Sequence, residues 1–494
     1  MMYQSTRDRG HKKYTAAEVI KMGLAPDGGL FIPESIPALT ADEISALCAD
    51  SYPVRAAKIL GKFLSDYTYD ELLADCTAAY AETSFPGGAA PLVHVHDNVY
   101  SLELWHGPTA AFKDMALQIM PRLLSRALVK TGETRNALIL VATSGDTGKA
   151  ALEGYKDIDR IRIMVFYPVD GVSRVQKLQM QTQTGDNVYV CAINGNFDDA
   201  QTGVKRIFSD PVAASLLDTK GYFLSSANSI NWGRLAPQIV YYVSAYCDLL
   251  NEGRIKMGDQ INVTVPTGNF GNIFAAYLAK LMGLPIDRLI CASNQNNILT
   301  DFLSSGTYDR NRSFHLTMSP SMDILISSNL ERLLYLTAGP ERTAAYMASL
   351  SKEGAYTVDA DVKAAIDSSF KGYFADEAKT AATIRETMHK YAYLADTHTA
   401  VAISAAEQYM AETGDVKPMV VASTASPYKF AADVYESLYG EKPADPLEAL
   451  DALSLKTATE IPYPLRGIKD RSVRFTDVVD SADMWHAVTD YVEQ

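Results

Sequence analysis

From about residue 135 the chain alternates short β-branched, apolar runs with amphipathic stretches. Ala137-Leu-Ile-Leu-Val-Ala142 predicts a buried strand, followed by a glycine-rich turn and a helix through Ala150-Ala-Leu-Glu-Gly154. Ile161–Tyr167 repeats the pattern ahead of a helix near 174–180, and Val188–Ile193 precedes a helix near 197–208. Ile261–Val265 leads into a helix over 274–282, whose end is marked by Gly283 and Pro285. Leu289–Ala292 and Met419–Ala422 read as further strands of the continuous apolar kind. Such strands, alternating with helices, predict parallel sheet covered on both faces, so the fold class is α/β. Residues 1–97 predict a mostly helical region with proline turns at Ile32-Pro33 and Ile36-Pro37. Residues 300–415 are expected to form an irregular, mostly helical insertion before the last strand.

Charge and cysteine usage narrow the function classes. Lys plus Arg number 45 against 59 Asp plus Glu, a net charge of −14. That balance disfavours nucleic acid and anionic membranes, which are held by Lys and Arg. It leaves room for an anionic small molecule, which a few local cations suffice to hold. The five cysteines stand far apart with no C-x-x-C spacing, so neither a disulfide framework nor a zinc site is indicated, and a reduced, cytoplasmic setting is expected. Residues 1–13 are polar and unlike a signal peptide, and the longest apolar stretch, Ile239–Tyr246, is well short of a membrane span.

In α/β sheets the chemistry collects in loops at the carboxyl ends of strands. Three such loops are rich in small polar residues: Thr143-Ser-Gly-Asp-Thr-Gly148, Thr267-Gly-Asn-Phe-Gly-Asn272 and Ser423-Thr-Ala-Ser-Pro427. Each offers backbone N–H groups and hydroxyls at a helix start, where phosphates and carboxylates bind. Any one of them alone reads more readily as a turn with a cap. Gly148-Lys149 does not make a nucleoside-triphosphate loop, because Thr143 and Ala150 stand where glycine and Ser or Thr are required. G-x-G-x-x-G and G-x-S-x-G are absent from these loops. The remaining candidate is Trp105-His-Gly-Pro-Thr-Ala-Ala-Phe-Lys-Asp-Met115, in which small residues and Phe112 crowd Lys113 at the head of a helix expected over 115–120. A lysine so placed has a lowered pKa and can form a Schiff base with a carbonyl. Joined to a phosphate cradle, that is what pyridoxal phosphate needs.

These residues resemble the threonine synthases, fold-type-II pyridoxal-phosphate enzymes with a tryptophan synthase β-like fold. The resemblance runs through Tyr3-Gln-Ser-Thr-Arg7, Gly23–Leu30, His106–Thr109, Phe112–Asp114, Thr143–Gly148, Asn228–Trp232, Gly268–Gly271, Ser319–Asp323 and Ser423–Ala425. It looks most like the longer, bacterial and fungal branch. It implies that Lys113 carries pyridoxal 5′-phosphate and serves as acid and base, and that Gly268, Asn269, Phe270, Gly271 and Asn272 wrap the cofactor phosphate. Thr424 would face the ring nitrogen, and Asp146 would lie beside the phenolic oxygen. Ser144 and Thr147 would receive the substrate carboxylate. Asn228, Ser229 and Arg234 would hold the substrate phosphate. By the same resemblance, residues 1–97 form the family's N-terminal region, a smaller α/β unit over 98–225 carries the lysine and the carboxylate loop, and a larger α/β unit over 226–494 binds the cofactor. His106 and His398 read as structural. Lys149 and Asn272 depart from the residues usual at their positions, as do Gly233 and Ser426. The implied reaction converts O-phospho-L-homoserine and water to L-threonine and phosphate, in a monomer or homodimer. A phospho-lyase giving 2-oxobutyrate and ammonia shares every motif, and a silent phosphometabolite-binding protein is the alternative of a different class.

Overall fold

The computed structural model describes residues 1–8, 10–170 and 172–493. Two sheets organise it. The six-stranded sheet runs Phe370–Phe374, Ile286–Ser293, Ile261–Pro266, Met419–Ser423, Val99–Glu103, Leu92–His96, parallel except for the last pair. The five-stranded sheet is wholly parallel: Val478–Asp480, Val188–Asn194, Ile161–Pro168, Asn136–Ala142, Tyr222–Ser225. The central strands are buried on both faces, which is why they read as unbroken apolar runs rather than alternating ones.

Helix ends follow local chemistry. Thr15, Thr40 and Thr68 each form a capping box with the glutamate three residues on, starting Ala16–Met22, Ala41–Cys48 and Tyr69–Ala79. Pro237–Asn251 is apolar nearly all round because it lies between the N-terminal helices Ala41–Cys48 and Tyr52–Phe63 and the helix Gly271–Met282. The N-terminal region therefore shares the core of the larger unit.

Several expectations need correction. Ile32-Pro33 is not a turn: Phe31–Pro33 pairs antiparallel with Tyr3–Ser5, a pairing that Pro33 tolerates at a strand end. The helix expected over 115–120 is two helices, Asp114–Leu117 and Met120–Lys130, the second carrying Pro121 in its first turn. The 98–225 division cuts through the antiparallel pair 92–103, whose hydrogen bonds to Met419–Ser423 place it in the six-stranded sheet. In turn, Val478–Asp480 and the helix Met484–Glu493 leave the larger unit and complete the five-stranded sheet. The span 300–415 is no mere insertion. Its strand Phe370–Phe374 forms the sheet edge, and its helix Thr397–Thr413 covers Ile261–Pro266, Ile286–Ser293 and Met419–Ser423. No helix among the described residues is long and apolar enough to cross a membrane.

Candidate active site

The three polar loops lie at the carboxyl ends of their strands, and the Lys113 segment packs between them. Ala111 bridges Ala425, and Phe112 N–H donates to the Thr424 carbonyl at 2.8 Å, fixing the lysine turn to the end of Met419–Ser423. Lys113 then stands immediately before the helix Asp114–Leu117. Its Nζ lies 3.6 Å from Asp146 Oδ2 and 3.4 Å from Ser321 Oγ, over the Phe112 ring, and its side chain keeps 11% exposure. Burial pulls the lysine pKa down, Lys429 and Arg234 add to that, and Asp146 opposes it.

Asp146 starts the helix Asp146–Tyr155 behind Gly145, whose φ of 147° suits glycine. A Cβ at Gly145 would also stand 2.5 Å from Gln176. Gln176 Nε2 donates to Asp146 Oδ1 at 2.7 Å, and Lys429 Nζ reaches the same oxygen at 2.6 Å. Burial alone would raise this carboxyl, but Lys429 first and Lys113 second hold it well below the usual carboxylate range. Thr143 Oγ1 accepts from Gly145 and Gly148 N–H, so the turn is held from within. Ser144 is exposed and Thr147 half-buried on either side of Asp146.

The loop after Ile261–Pro266 turns through Phe270, whose φ of 61° opens the helix Gly271–Met282. A Cβ on Gly268 would lie 2.7 Å from the Ser321 carbonyl, so the loop and the Ser319–Met322 turn approach as only glycine allows. Ser327 Oγ donates to the Gly268 carbonyl at 2.6 Å, and Asn329 donates to the Asn269 carbonyl through its backbone N at 3.0 Å and Nδ2 at 2.9 Å. Asn329 Nδ2 also reaches the Ser229 carbonyl at 3.4 Å, tying the 228–234 turn to this loop. Asn272 Oδ1 accepts from the hydroxyls of Tyr241 and Tyr242. Asn228 is exposed, and its Oδ1 accepts from the Ile230 N–H at 3.2 Å.

Two buried donors in this ring, Arg234 Nε and Asn272 Nδ2, have no partner among the described residues. Arg234 donates to the Ala227 carbonyl at 2.5 Å and pairs with no carboxylate among them; burial lowers its pKa to about 10 against the pull of Tyr155 and Tyr241. A buried cation and a buried amide left without partners are costly by themselves and call for an anion. The orphaned Asn272 amide in a glycine cradle, together with an accessible, burial-weakened amine, fits a phosphorylated aldehyde such as pyridoxal phosphate, and the buried Arg234 cation fits a second anion. Lys113 is thus brought together with Asp146, with the Thr424 backbone and, through Ser321, with the 268–272 loop, and Arg234 lies near enough to act on its charge. Ser321, Gln176 and Lys429 also reach this site, and no motif of the sequence assigns them a role in it. His398, which reads as structural from the sequence, is buried, hydrogen-bonded to Asp396 at 2.9 Å and accepting from Ser321 N at 3.2 Å.

Asp114 illustrates how the lysine turn responds to pH. Its buried carboxylate accepts from Thr109 N–H at 2.8 Å and Thr109 Oγ1 at 2.7 Å, and burial raises its pKa to about 6 despite those bonds. The native state therefore binds more protons than the unfolded chain between about pH 4 and 6, and stability falls as pH rises through that window. Asp114→Asn is expected to match the parent near pH 4 and to gain up to about 3 kcal/mol by pH 7. Urea unfolding at the two pH values checks this.

Comparison with known proteins places the chain among relatives. Residues 2–80 match the family "Threonine synthase N terminus", 84–425 match "Pyridoxal-phosphate dependent enzyme", and 399–492 match "Threonine synthase, C-terminal". Threonine synthase-like 1 of Homo sapiens is 40% identical over 85% of this chain, which spans only 58% of that protein's length. Threonine synthase of Pseudomonas aeruginosa is 38% identical over 91% of this chain and 93% of its own. The crystal structure of pyridoxal-phosphate-bound threonine synthase from Brucella melitensis superimposes with a TM-score of 0.89 at 37% identity, covering all of both chains. The yeast threonine synthase structure gives 0.90 at 32% identity, over 100% of this chain and 98% of the other. Matched along its length by these three families, and 38% identical to a threonine synthase over 91% of its residues, the chain belongs to the threonine synthase family of pyridoxal-phosphate-dependent enzymes.

Proposed function

We propose that this chain converts O-phospho-L-homoserine and water into L-threonine and phosphate. The observation that carries the reading is the Lys113 amine set beside Asp146 and Ser321, with the buried Arg234, which pairs with no carboxylate among the described residues, near enough to act on its charge. Pyridoxal phosphate, held through Lys113, residues 268–272 and Thr424, supplies the electron sink that makes the α- and β-protons of the amino acid removable. The rest falls to the chain. Lys113, its proton affinity weakened by burial, removes and returns protons at the substrate carbons. Arg234, with Asn228 and Ser229, binds the γ-phosphate and stabilises the charge that grows as it leaves. Ser144 and Thr147 orient the α-carboxylate from the start of the helix Asp146–Tyr155. Water then adds at the β-carbon once phosphate has gone.

Visible absorbance of the purified protein, followed by borohydride reduction and peptide mapping, tests the cofactor assignment. The label is expected on Lys113, and a label on another lysine would sink it. Thr424, 5% exposed at the end of its strand, is proposed to hydrogen-bond an unprotonated ring nitrogen. Thr424→Asp would hold that nitrogen protonated. It should shift the absorbance spectrum and lower turnover by about tenfold or more, the effect of a differential interaction of at least about 1.4 kcal/mol, while the cofactor stays bound. An unchanged spectrum with unchanged turnover contradicts this placement.

A further inference from the structure

Lys429 lies outside every motif that carries the proposed chemistry, yet it sits at its centre. Its side chain has no exposure to solvent, whereas most lysines are solvated. It belongs to the short turn Pro427–Phe430 that follows the strand Met419–Ser423. From there Nζ reaches Asp146 Oδ1 at 2.6 Å and donates to the Thr109 carbonyl at 3.0 Å. It therefore joins three segments: the end of the six-stranded sheet, the turn leading to Lys113, and the helix start that faces the Lys113 amine from the five-stranded sheet.

We propose that Lys429 is a positioning residue for the reaction, neutralising Asp146 so that the Lys113 nitrogen faces an ion pair rather than a free carboxylate. The inference rests on the proposed function and adds a residue to it. A lone carboxylate 3.6 Å from a buried amine would hold that amine protonated and unreactive toward a carbonyl. Lys429, on the other oxygen of the same carboxylate, offsets this pull while keeping Asp146 ionised and fixed in place. The remaining charged groups around the pair are already accounted for. Arg234 acts on Lys113 in the same direction as Lys429. Asp114 is held by Thr109. Lys149 and Glu153, farther along the Asp146 helix, pair with each other at 2.9 Å. His398 lies behind Ser321 and is bonded to Asp396. None of these takes the place of Lys429 on Asp146.

The test is a pH titration of the holoenzyme's visible absorbance, which reads the proton on the nitrogen joining Lys113 to the cofactor. Lys429→Met should raise the midpoint by at least about one pH unit, a tenfold gain in proton affinity. Asp146→Asn, which leaves the Lys429 charge uncompensated, should lower it. The double variant Lys429→Met/Asp146→Asn should return close to the parent. A Lys429 that only holds loops together would lower the thermal unfolding temperature and leave the midpoint where it was, and that result overturns the proposal. If Lys429→Met fails to fold, the other two variants decide: a midpoint unmoved or raised in Asp146→Asn, or displaced by more than about one unit in the double variant, overturns it. Trace acetylation of Lys113 against pH in the cofactor-free full chain, read by peptide mapping, measures the same proton affinity without relying on the cofactor linkage. A shift there, with the borohydride label on another lysine, would uphold Lys429 and defeat the proposed function. The reverse outcome would do the opposite.

Discussion

Lys113→Ala is expected to abolish covalent cofactor attachment and to cut threonine formation by at least about 1,000-fold, because one group supplies both the linkage and the proton transfers. Folding should survive. The lysine ammonium makes one long hydrogen bond and one loose ion pair, and Asp146 retains Lys429 at 2.6 Å and Gln176 at 2.7 Å when Lys113 is gone. The checks are absorbance after dialysis, thermal unfolding, and product formation with cofactor in excess. A variant that keeps its reducible cofactor linkage, or more than about a tenth of the parent's rate, contradicts the role given to Lys113.

Arg234→Ala should separate recognition of the substrate from folding. Arg234 is buried in the short helix Trp232–Leu235, with a hydrogen bond to the Ala227 carbonyl and an Nε that has no partner among the described residues. In the free protein such a cation is a burden, so its removal should not destabilise the fold. Toward a phosphate dianion it is a charge-assisted donor, and its loss should cost about 2–3 kcal/mol, or roughly 30- to 150-fold in kcat/KM. Because the phosphate is both handle and leaving group, kcat should fall while KM rises. Steady-state kinetics with O-phosphohomoserine, together with cofactor content, make the measurement. A drop of less than about threefold, with folding and cofactor binding intact, removes Arg234 from the site.

The parts of the molecule that were legible in the sequence are those where local chemistry and burial agree. Leu138–Leu140 and Val263–Val265 sit in strands covered on both faces, so continuous apolar runs announced them, and the glycine-rich loops after them marked the cleft. Phe370-Lys-Gly-Tyr-Phe374 is a sheet-edge strand with a glycine and a half-exposed face, and it carries no such run. Leu92–His96 pairs antiparallel at the opposite edge, where a polar side is tolerated. Val478–Asp480 is too short and too exposed for its pairing partner to be read from pattern alone. The same limit hid part of the site. A lysine in Pro427-Tyr-Lys-Phe430 reads as a surface cation, and only the return of the chain to Thr109 and Asp146 makes Lys429 a buried ion-pair partner. Ser321 lay in a recognised motif, but its reach to Lys113 depends on the close approach of Gly268, which no spacing rule encodes.

The central claim is tested most directly by incubating the purified holoenzyme with O-phospho-L-homoserine and quantifying threonine, phosphate and 2-oxobutyrate in one time course. The account predicts threonine and phosphate rising together in equal amounts, with 2-oxobutyrate a minor product. Phosphate released with 2-oxobutyrate and ammonia in place of threonine, or no phosphate release from a protein that carries its cofactor on Lys113, would contradict it.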